Sequence, residues 1–184
     1  MAFTAVYDAC VLYPISLRDL FIRLGQTGLF RAKWTERILD EFVEALLEKR
    51  PELKDSLDRQ REQMRNAIRD VDVRDYARLI PVVPPLPDTK DAHVVAAAMA
   101  CGAEVIVTFN LEDFPPEVLK PLGIEAQHPD TFVMHLIDLD REAVKAVIEA
   151  MAAIKKNPPM TYDQVLDTLA NRGLPNSAAS LRRK

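Results

Sequence analysis

The sequence predicts an α/β sandwich with a mostly parallel sheet of four or five strands and additional helices at its C-terminal end. Short β-branched and aromatic runs alternate with longer segments of helical apolar spacing, the pattern of a parallel sheet covered by helices. The stretch 87–114 shows this best. It reads in order as a loop, an almost wholly apolar helix, a tight turn, a buried strand and a polar loop.

The composition is that of an ordinary globular chain. Of 184 residues, 48% are apolar and 28% are charged, and the formal charge is −4. This charge excludes proteins that coat nucleic acid by bulk positive charge, so nucleic-acid binding would need local basic patches. No apolar run is long enough to span a bilayer, and no basic n-region precedes the first strand-like segment. We therefore expect a cytoplasmic location and no membrane partner.

The N-terminal part contains a predicted strand and two amphipathic helices. Residues 3–7 form a β-branched and aromatic strand that ends at Asp8. Residues 15–26 have helical apolar spacing. A second helix begins after Thr35, a predicted N-cap, and carries Glu41 at the edge of its buried stripe.

Two further strands and a charged arm complete the predicted elements around the central stretch. Residues 52–70 are heavily charged with sparse apolar positions, which indicates an exposed helix or helix pair. A short strand is predicted at 79–83, before two prolines. An edge strand is predicted at 123–126.

The central stretch carries acids at two structurally defined positions. Asp88 is a predicted N-cap of the apolar helix, and Asp91 lies in its first turn, where negative charge meets the positive end of the helix dipole. Gly102 is predicted to end the helix in the left-handed conformation. The strand 104–108 follows, and Asp113 lies just beyond its carboxyl end, where open α/β sheets bind ligands.

Right-handed crossovers place the carboxyl ends of the first strand and of strand 104–108 side by side. We therefore expect Asp8, Asp91 and Asp113 to share one edge of the sheet, with Glu41 reaching it from its helix. Two carboxylates about 5 Å apart repel by roughly 3 kcal/mol at an effective dielectric constant near 20. No lysine or arginine is placed in the sequence to neutralise the group.

A hard divalent cation, Mg²⁺ or Mn²⁺, would compensate such a cluster, because both ions prefer oxygen ligands. This kind of site suits phosphodiester hydrolysis, since the cation activates water and stabilises charge on the phosphate. Thr108 and Asn110 are expected to support the acids by orienting a carboxylate or a bound water. Asp88 is given a supporting position as well, either as a plain cap or near a second metal.

Each candidate also has a structural explanation when it is taken singly. The aspartates can be helix or turn caps, and Glu41 can be a solvated helix carboxylate. His93 lies about 200° around the helix from Asp91 and is predicted to be structural. Several basic residues could attract phosphates or could be scattered surface charge: Arg18, Arg31, Lys33 and Arg37. Only the convergence of the acids distinguishes a site from independent caps.

The chain resembles the PIN-domain nucleases, and in particular the branch that includes the VapC-type toxin ribonucleases of bacterial toxin–antitoxin pairs. The resemblance covers about residues 3–135 and depends on four motifs in order. They are the strand before Asp8-Ala9-Cys10-Val11-Leu12, the helix with Glu41, Asp88-x-x-Asp91 opening an alanine-rich helix, and Val107-Thr108-x-Asn110-x-x-Asp113-Phe114.

The resemblance implies a three-layer α/β/α PIN-like fold and a Mg²⁺- or Mn²⁺-dependent endoribonuclease that is the toxin of a type II toxin–antitoxin pair. It assigns catalysis and metal binding to the acids, which are Asp8, Glu41, Asp91 and Asp113. It also implies an RNA substrate, a cognate antitoxin and homodimers. We divide the chain into a PIN-like nuclease domain at 1–139 and a C-terminal helical extension and tail at 140–184, with the tail from 177 onward expected to be mobile.

Two other functions fit parts of the pattern. A catalytically silent PIN-fold scaffold could bind RNA or protein, although the presence of all four acids argues against it. Aspartyl phosphotransferases carry Asp-x-Asp after the first strand, but position 10 here is Cys10, so their general acid is missing.

Overall fold

A four-stranded parallel sheet of order β2-β1-β3-β4 forms the centre of the computed structural model, which describes residues 2–156 and 158–182. The strands are β1 (Thr4–Tyr7), β2 (Arg31–Lys33), β3 (Val105–Val107) and β4 (Glu125–Gln127). Val6 of β1 lies opposite Lys33 on one side and Ile106 on the other. The predicted α/β fold with a parallel sheet is confirmed.

Helices cover the sheet in a three-layer α/β/α arrangement. The α-helices of the described residues are α1 (Ala9–Leu12), α2 (Ile15–Gln26), α3 (Glu36–Lys49), α4 (Lys54–Ala67), α5 (Ala92–Cys101), α6 (Pro116–Leu119), α7 (Pro129–Leu139), α8 (Arg141–Ile154), α9 (Tyr162–Asn171) and α10 (Pro175–Arg182). None of these helices is both long enough and apolar enough to cross a membrane.

Local sequence signals set several of these boundaries. Thr35 caps α3 by accepting a hydrogen bond from the Ile38 amide at 3.1 Å. Gly102 ends α5 with φ of +63°, as expected for a left-handed C-cap. Buried β1 and β3 pair directly, and the Asp8 amide continues the ladder to the Val107 carbonyl at 3.1 Å. The ends of these two central strands are therefore held side by side.

The predicted strand at 79–83 is wrong. Residues Tyr76–Val82 form a 3₁₀ helix that packs on α5. Pro81 has no amide hydrogen to donate to a ladder, which disfavours a paired strand at this point. The fourth strand is instead β2, which the sequence did not predict because it has only three residues and two of them are charged. The edge of the sheet is extended beyond β2 by Trp34, which exchanges backbone hydrogen bonds with Val71 and Val73.

The expectation of a mobile C-terminal tail is wrong for the residues that the structure describes. Helix α10 carries buried Ala178 and Leu181 against the core. Residues 183 and 184 lie outside the described residues. The tail is ordered because its apolar positions find a partner surface on α7 and α9.

One buried carboxylate fixes the start of α10. Asp130 of α7 is only 4% exposed. Its two oxygens accept hydrogen bonds from the backbone amides of Asn176 at 3.0 Å and Ser177 at 2.8 Å, and from both of their side chains. Burial tends to raise the pKa of Asp130, but the hydrogen bonds from Ser177 and Asn176 outweigh it and leave the pKa below its usual value.

Replacing this carboxylate should destabilise the protein. Asp130→Ala leaves buried donors of α10 without an acceptor, so we expect a loss of about 3 kcal/mol in the free energy of unfolding at pH 7. Because the folded-state pKa is depressed, the stabilisation is present above the unfolded pKa of about 3.9 and is lost as pH falls through the lower, folded-state pKa.

Asp138 carries an exposed side chain on the same helix and provides the control. Urea unfolding should show Asp138→Ala within about 0.5 kcal/mol of the wild type. Equal losses for the two variants at pH 7 would contradict the anchoring role of Asp130.

Candidate active site

Asp8 is the most deeply placed of the predicted acids. It follows β1 at the carboxyl edge of the sheet and is 6% exposed. Its Oδ1 accepts a hydrogen bond from the Ala9 amide at 2.7 Å, so it also caps the short helix α1. Its Oδ2 accepts from the Thr108 hydroxyl at 2.7 Å and from the Cys10 thiol at 3.1 Å. The carboxylate is thus oriented by neutral donors.

Thr108 connects Asp8 to the loop that follows β3. Its side chain is fully buried, and its hydroxyl oxygen accepts a hydrogen bond from the Asn110 amide at 3.0 Å while donating to Asp8. Cys10 belongs to the same network, since its sulfur accepts from the Phe109 amide at 3.3 Å. Burial, followed by the charge of Asp8, raises the pKa of the Cys10 thiol to about 12. Cys10 is therefore a protonated donor at neutral pH.

Asp91 shows most directly that the acids interact. It is the last residue of a 3₁₀ turn (Thr89–Asp91) and the residue directly before α5. The pKa of Asp91 is raised from 3.8 to about 6, first by burial and then by the charges of Asp8, Asp113 and Asp88. Asp8 and Asp91, which are 83 positions apart in sequence, therefore repel each other in the fold.

Asp113 and Asp88 lie on the two loops that border Asp91. Asp113 is half-buried at the end of a 3₁₀ turn after β3, and Asp88 is exposed and accepts a hydrogen bond from the Lys90 amide at 2.8 Å. In residues 2–156 and 158–182, no lysine or arginine forms a salt bridge with Asp8, Asp91 or Asp113. Negative charge is thus gathered at this edge without a lysine or arginine partner, although the charge of His93 acts to lower the pKa of Asp91.

Glu41 differs from the three aspartates because it has two positively polarised neighbours. Its Oε1 lies 2.8 Å from Nε2 of His93 and 3.4 Å from Nε of Arg37. Burial tends to raise the pKa of Glu41, but His93 and then Arg37 outweigh it and leave the pKa below its usual value. The expectation that Glu41 has no basic neighbour is therefore wrong.

His93 is the residue of this site that sequence reasoning missed. Its side chain is 1% exposed. Although Nε2 is close to Glu41, the direction of approach is poor, and neither ring nitrogen has a well-directed hydrogen bond among the described residues. Position 93 faces away from Asp91 on α5, and that geometry suggested a structural role. No sequence signal identifies its partner, because the contact of His93 with Glu41 arises only in the fold.

The predicted phosphate-binding residues are not gathered at the acids. Arg18 is 7% exposed, donates to the Leu12 carbonyl and to Gln60, and lies over the Phe42 ring. Lys33 is paired with Asp70 at 2.9 Å.

Arg31 opens β2 opposite Thr4, at the amino end of the sheet. Because Thr4 and Asp8 are four residues apart along the chain, at about 3.3 Å per residue, Arg31 is roughly 13 Å from Asp8. The positions of Arg18, Lys33 and Arg31 do not favour a role in binding substrate. Such a role remains a prediction.

The acids interact without being arranged as a preformed metal cage. No group of three or more His, Cys, Asp or Glu side chains within the described ranges has an arrangement that could hold a metal ion. Their effect on the pKa of Asp91 requires proximity, while a shared cation would require their oxygens to converge further. The assignment of Asp8, Glu41, Asp91 and Asp113 to catalysis and metal binding remains a prediction.

Comparisons with known proteins add an independent line of observation. The family model described as "PIN domain" matches residues 4–112, and the model described as "VapC50 C-terminal domain" matches residues 129–183. The first match includes Asp8, Glu41 and Asp91 and ends one residue before Asp113.

A curated relative matches the chain over part of its length. This protein, "Putative ribonuclease VapC50" of Mycobacterium tuberculosis (strain ATCC 25618 / H37Rv), is 49% identical over 94 residues, which are 51% of this chain and 55% of the relative. The chain thus spans about half the length of the curated relative that it matches. No solved structure matches the chain.

The repulsion among the aspartates predicts how the metal-free protein responds to pH. Because the folded-state pKa of Asp91 is raised, its contribution to stability is present below the unfolded pKa of about 3.9 and is lost as pH rises through about 6. Asp8→Asn removes one source of this repulsion. In chelator-treated protein it should lower the pKa of Asp91 and raise the Tm at pH 7.5, with a smaller gain at pH 4.5.

Carboxyl-carbon NMR titration and thermal unfolding measure the two effects. Asp138→Asn is the control and should change neither quantity. If Asp8→Asn leaves the pKa of Asp91 near 6, the two carboxylates do not share a site.

Proposed function

The chain belongs to the PIN-domain family, since the family model covers residues 4–112 of its 184, and on that premise we propose that it is a Mg²⁺- or Mn²⁺-dependent endoribonuclease. The observation that carries the proposal is the pKa of Asp91, which burial and three other aspartates raise to about 6. Uncompensated negative charge is costly in a folded protein and is characteristic of functional sites, and a divalent cation would compensate it.

The side chains at this edge offer the oxygen ligands that a hard cation prefers. Asp8, Asp91 and Asp113 supply carboxylate oxygens, and Glu41 would contribute from α3. When bound, the cation supplies Lewis-acid chemistry and activates water for phosphodiester hydrolysis. Soft ligands are not offered, because burial and the charge of Asp8 keep the Cys10 thiol protonated, with a pKa of about 12.

The remaining side chains of the site have orienting roles. The Thr108 hydroxyl and the Cys10 thiol donate to one oxygen of Asp8 and fix the plane of its carboxylate. His93 and Arg37 contact Glu41 of α3 and would fix the position of its carboxylate. Such partners keep ligand oxygens in place, and their loss commonly costs 10- to 100-fold in metal affinity or activity.

The RNA substrate and the biological role are proposed on similarity. The relative that shares 49% identity over 94 residues is named as a VapC-type ribonuclease, and the C-terminal part of this chain matches a domain named after it. We therefore propose that this chain cleaves RNA as the toxin of a type II toxin–antitoxin pair, in the cytoplasm. A cognate antitoxin and a homodimer are part of the same proposal. The division of the chain into a nuclease domain at 1–139 and a C-terminal extension at 140–184 is also a proposal.

Purified protein should cleave RNA when Mg²⁺ or Mn²⁺ is supplied and should stop when the metal is chelated. Asp8→Asn should reduce the cleavage rate at least 100-fold, since it removes a ligand charge and not a merely orienting contact. Gel analysis of a labelled RNA, with Asp138→Asn as the matched control, measures both effects. Cleavage that persists in chelator would contradict the mechanism, and a folded protein that binds RNA without cutting it would favour the silent scaffold.

Expression in a bacterial host should slow growth if the chain acts as a toxin. The intact chain should inhibit growth more strongly than the Asp91→Asn chain at equal protein levels, because the variant lacks one of the acids proposed to bind metal. Growth curves with immunoblot normalisation provide the comparison. Equal growth of the two cultures would count against the toxin role. It would not test ribonuclease activity, which the cleavage assay measures.

A further inference from the structure

The turn between α9 and α10 packs against the loop that carries Thr108. Gly173, in this turn, has φ of +97°, and a Cβ placed there would lie 2.8 Å from Cε1 of Phe109. This separation is shorter than van der Waals contact, so the backbone of the turn lies directly against the edge of the ring. Phe109 is the residue between Thr108 and Asn110, and the C-terminal helices therefore reach the candidate site.

The ring of Phe109 is held on a second side by the start of α7. His128 makes an edge-to-face contact with it, with ring centroids 5.0 Å apart and an interplanar angle of 86°. His128 is in turn fixed as the cap of α7, because its Nδ1 accepts a hydrogen bond from the Asp130 amide at 3.1 Å. The partly buried ring is therefore contacted by His128 on one side and by the turn with Gly173 on another.

The backbone of Phe109 belongs to the hydrogen-bond network around Asp8. The Phe109 amide donates to Cys10, and the next amide, that of Asn110, donates to Thr108. Both acceptors donate in turn to Oδ2 of Asp8. A displacement of Phe109 would therefore be transmitted to the two groups that orient this carboxylate.

The turn that carries Gly173 is itself anchored. Asn176 and Ser177, three and four residues later, are hydrogen-bonded through their backbone amides to Asp130 of α7. Leu174 is buried, and its amide donates to the Leu169 carbonyl at 3.0 Å. The segment 172–177 is thus fixed on both sides of the contact with Phe109.

We propose that the α9–α10 turn is a positioning element of the candidate active site, in which Gly173 acts through Phe109 on the orientation of Asp8 and Thr108. The inference rests on the proposed function to the extent that Asp8 binds a metal ion. Gly173 and Phe109 are positioning residues and not catalytic ones. The proposal gives the C-terminal helices a role in the site beyond extending the core.

Gly173→Ala tests the contact, and the chain offers a matched control. Gly123 also has positive φ, +72°, but a Cβ there would have no atom within 4 Å. Gly123→Ala thus also places an alanine at positive φ, at +72° and not at +97°, but without the clash. We expect Gly173→Ala to weaken Mn²⁺ binding about 10-fold, measured by calorimetry well below the Tm, while Gly123→Ala stays within about twofold of wild type. Phe109→Leu in the Gly173→Ala background should restore most of the affinity.

Amide exchange provides a readout that does not need metal. The amides of Phe109 and Asn110 should exchange roughly 10-fold faster in Gly173→Ala than in Gly123→Ala, because their acceptors are displaced. If Gly173→Ala does not fold, Phe109→Ala replaces it, with Leu111→Ala in the same loop as its control. Phe109→Ala should then weaken Mn²⁺ binding and expose the Asn110 amide.

The outcomes separate the two proposals. Wild-type protein that binds no Mn²⁺ contradicts the proposed function, and the exchange rates then decide the positioning role alone. Mn²⁺ affinity and exchange rates that are equal in Gly173→Ala and Gly123→Ala would overturn the positioning role while leaving the proposed function standing. The same holds if Phe109→Ala and Leu111→Ala are indistinguishable.

Discussion

The repulsion among aspartates at the carboxyl edge of the sheet is the interaction on which the rest of this structure depends. Parallel pairing of β1 with β3 places Asp8 and the loop with Asp113 side by side, and α5 begins at Asp91 next to them. The fold cannot separate these groups without breaking its two central strands. It leaves the charge uncompensated by basic side chains and orients Asp8 with an amide, a hydroxyl and a thiol. Neutral donors fix geometry and preserve the negative charge that a cation needs.

Two aspartates of this chain show how differently the same side chain can be used. Asp130 is buried and receives donors on both oxygens, and its pKa is held below the usual value despite its burial. Asp91 is partly buried among other carboxylates, and its pKa is raised to about 6. The first arrangement stabilises the fold at neutral pH, whereas the second costs stability there. A costly arrangement of this kind is characteristic of functional sites.

Much of the fold could be predicted because its signals are local. The alternation of strand and helix patterns, the caps at Thr35 and Gly102, and the position of Asp8 after a buried strand all follow from short stretches of sequence. The predictions that were wrong depended on distant partners. β2 is too short to show a pattern, and residues 79–82 belong to a 3₁₀ helix on α5 although their composition resembles a strand. Residues 177–182 are helical because their apolar positions pack on α7 and α9 and because Asp130, which lies 47 positions before Ser177, binds the start of α10.

The proximity of the three aspartates in the candidate site could be predicted from the sequence. The side chains that contact the acids could not. Order along the chain and the handedness of crossovers were sufficient to bring Asp8, Asp91 and Asp113 to one edge. The contact of Glu41 with His93 depends on how α3 approaches the first turn of α5, and the contact of Gly173 with Phe109 depends on the path of the C-terminal helices. No periodicity or motif in the sequence encodes such contacts. The anomalous scattering of a crystal soaked in Mn²⁺ tests the central claim most directly. The account predicts a peak bounded by carboxylate oxygens of Asp8, Asp91 and Asp113, whereas an empty edge, or a basic side chain bridging those oxygens, would contradict it.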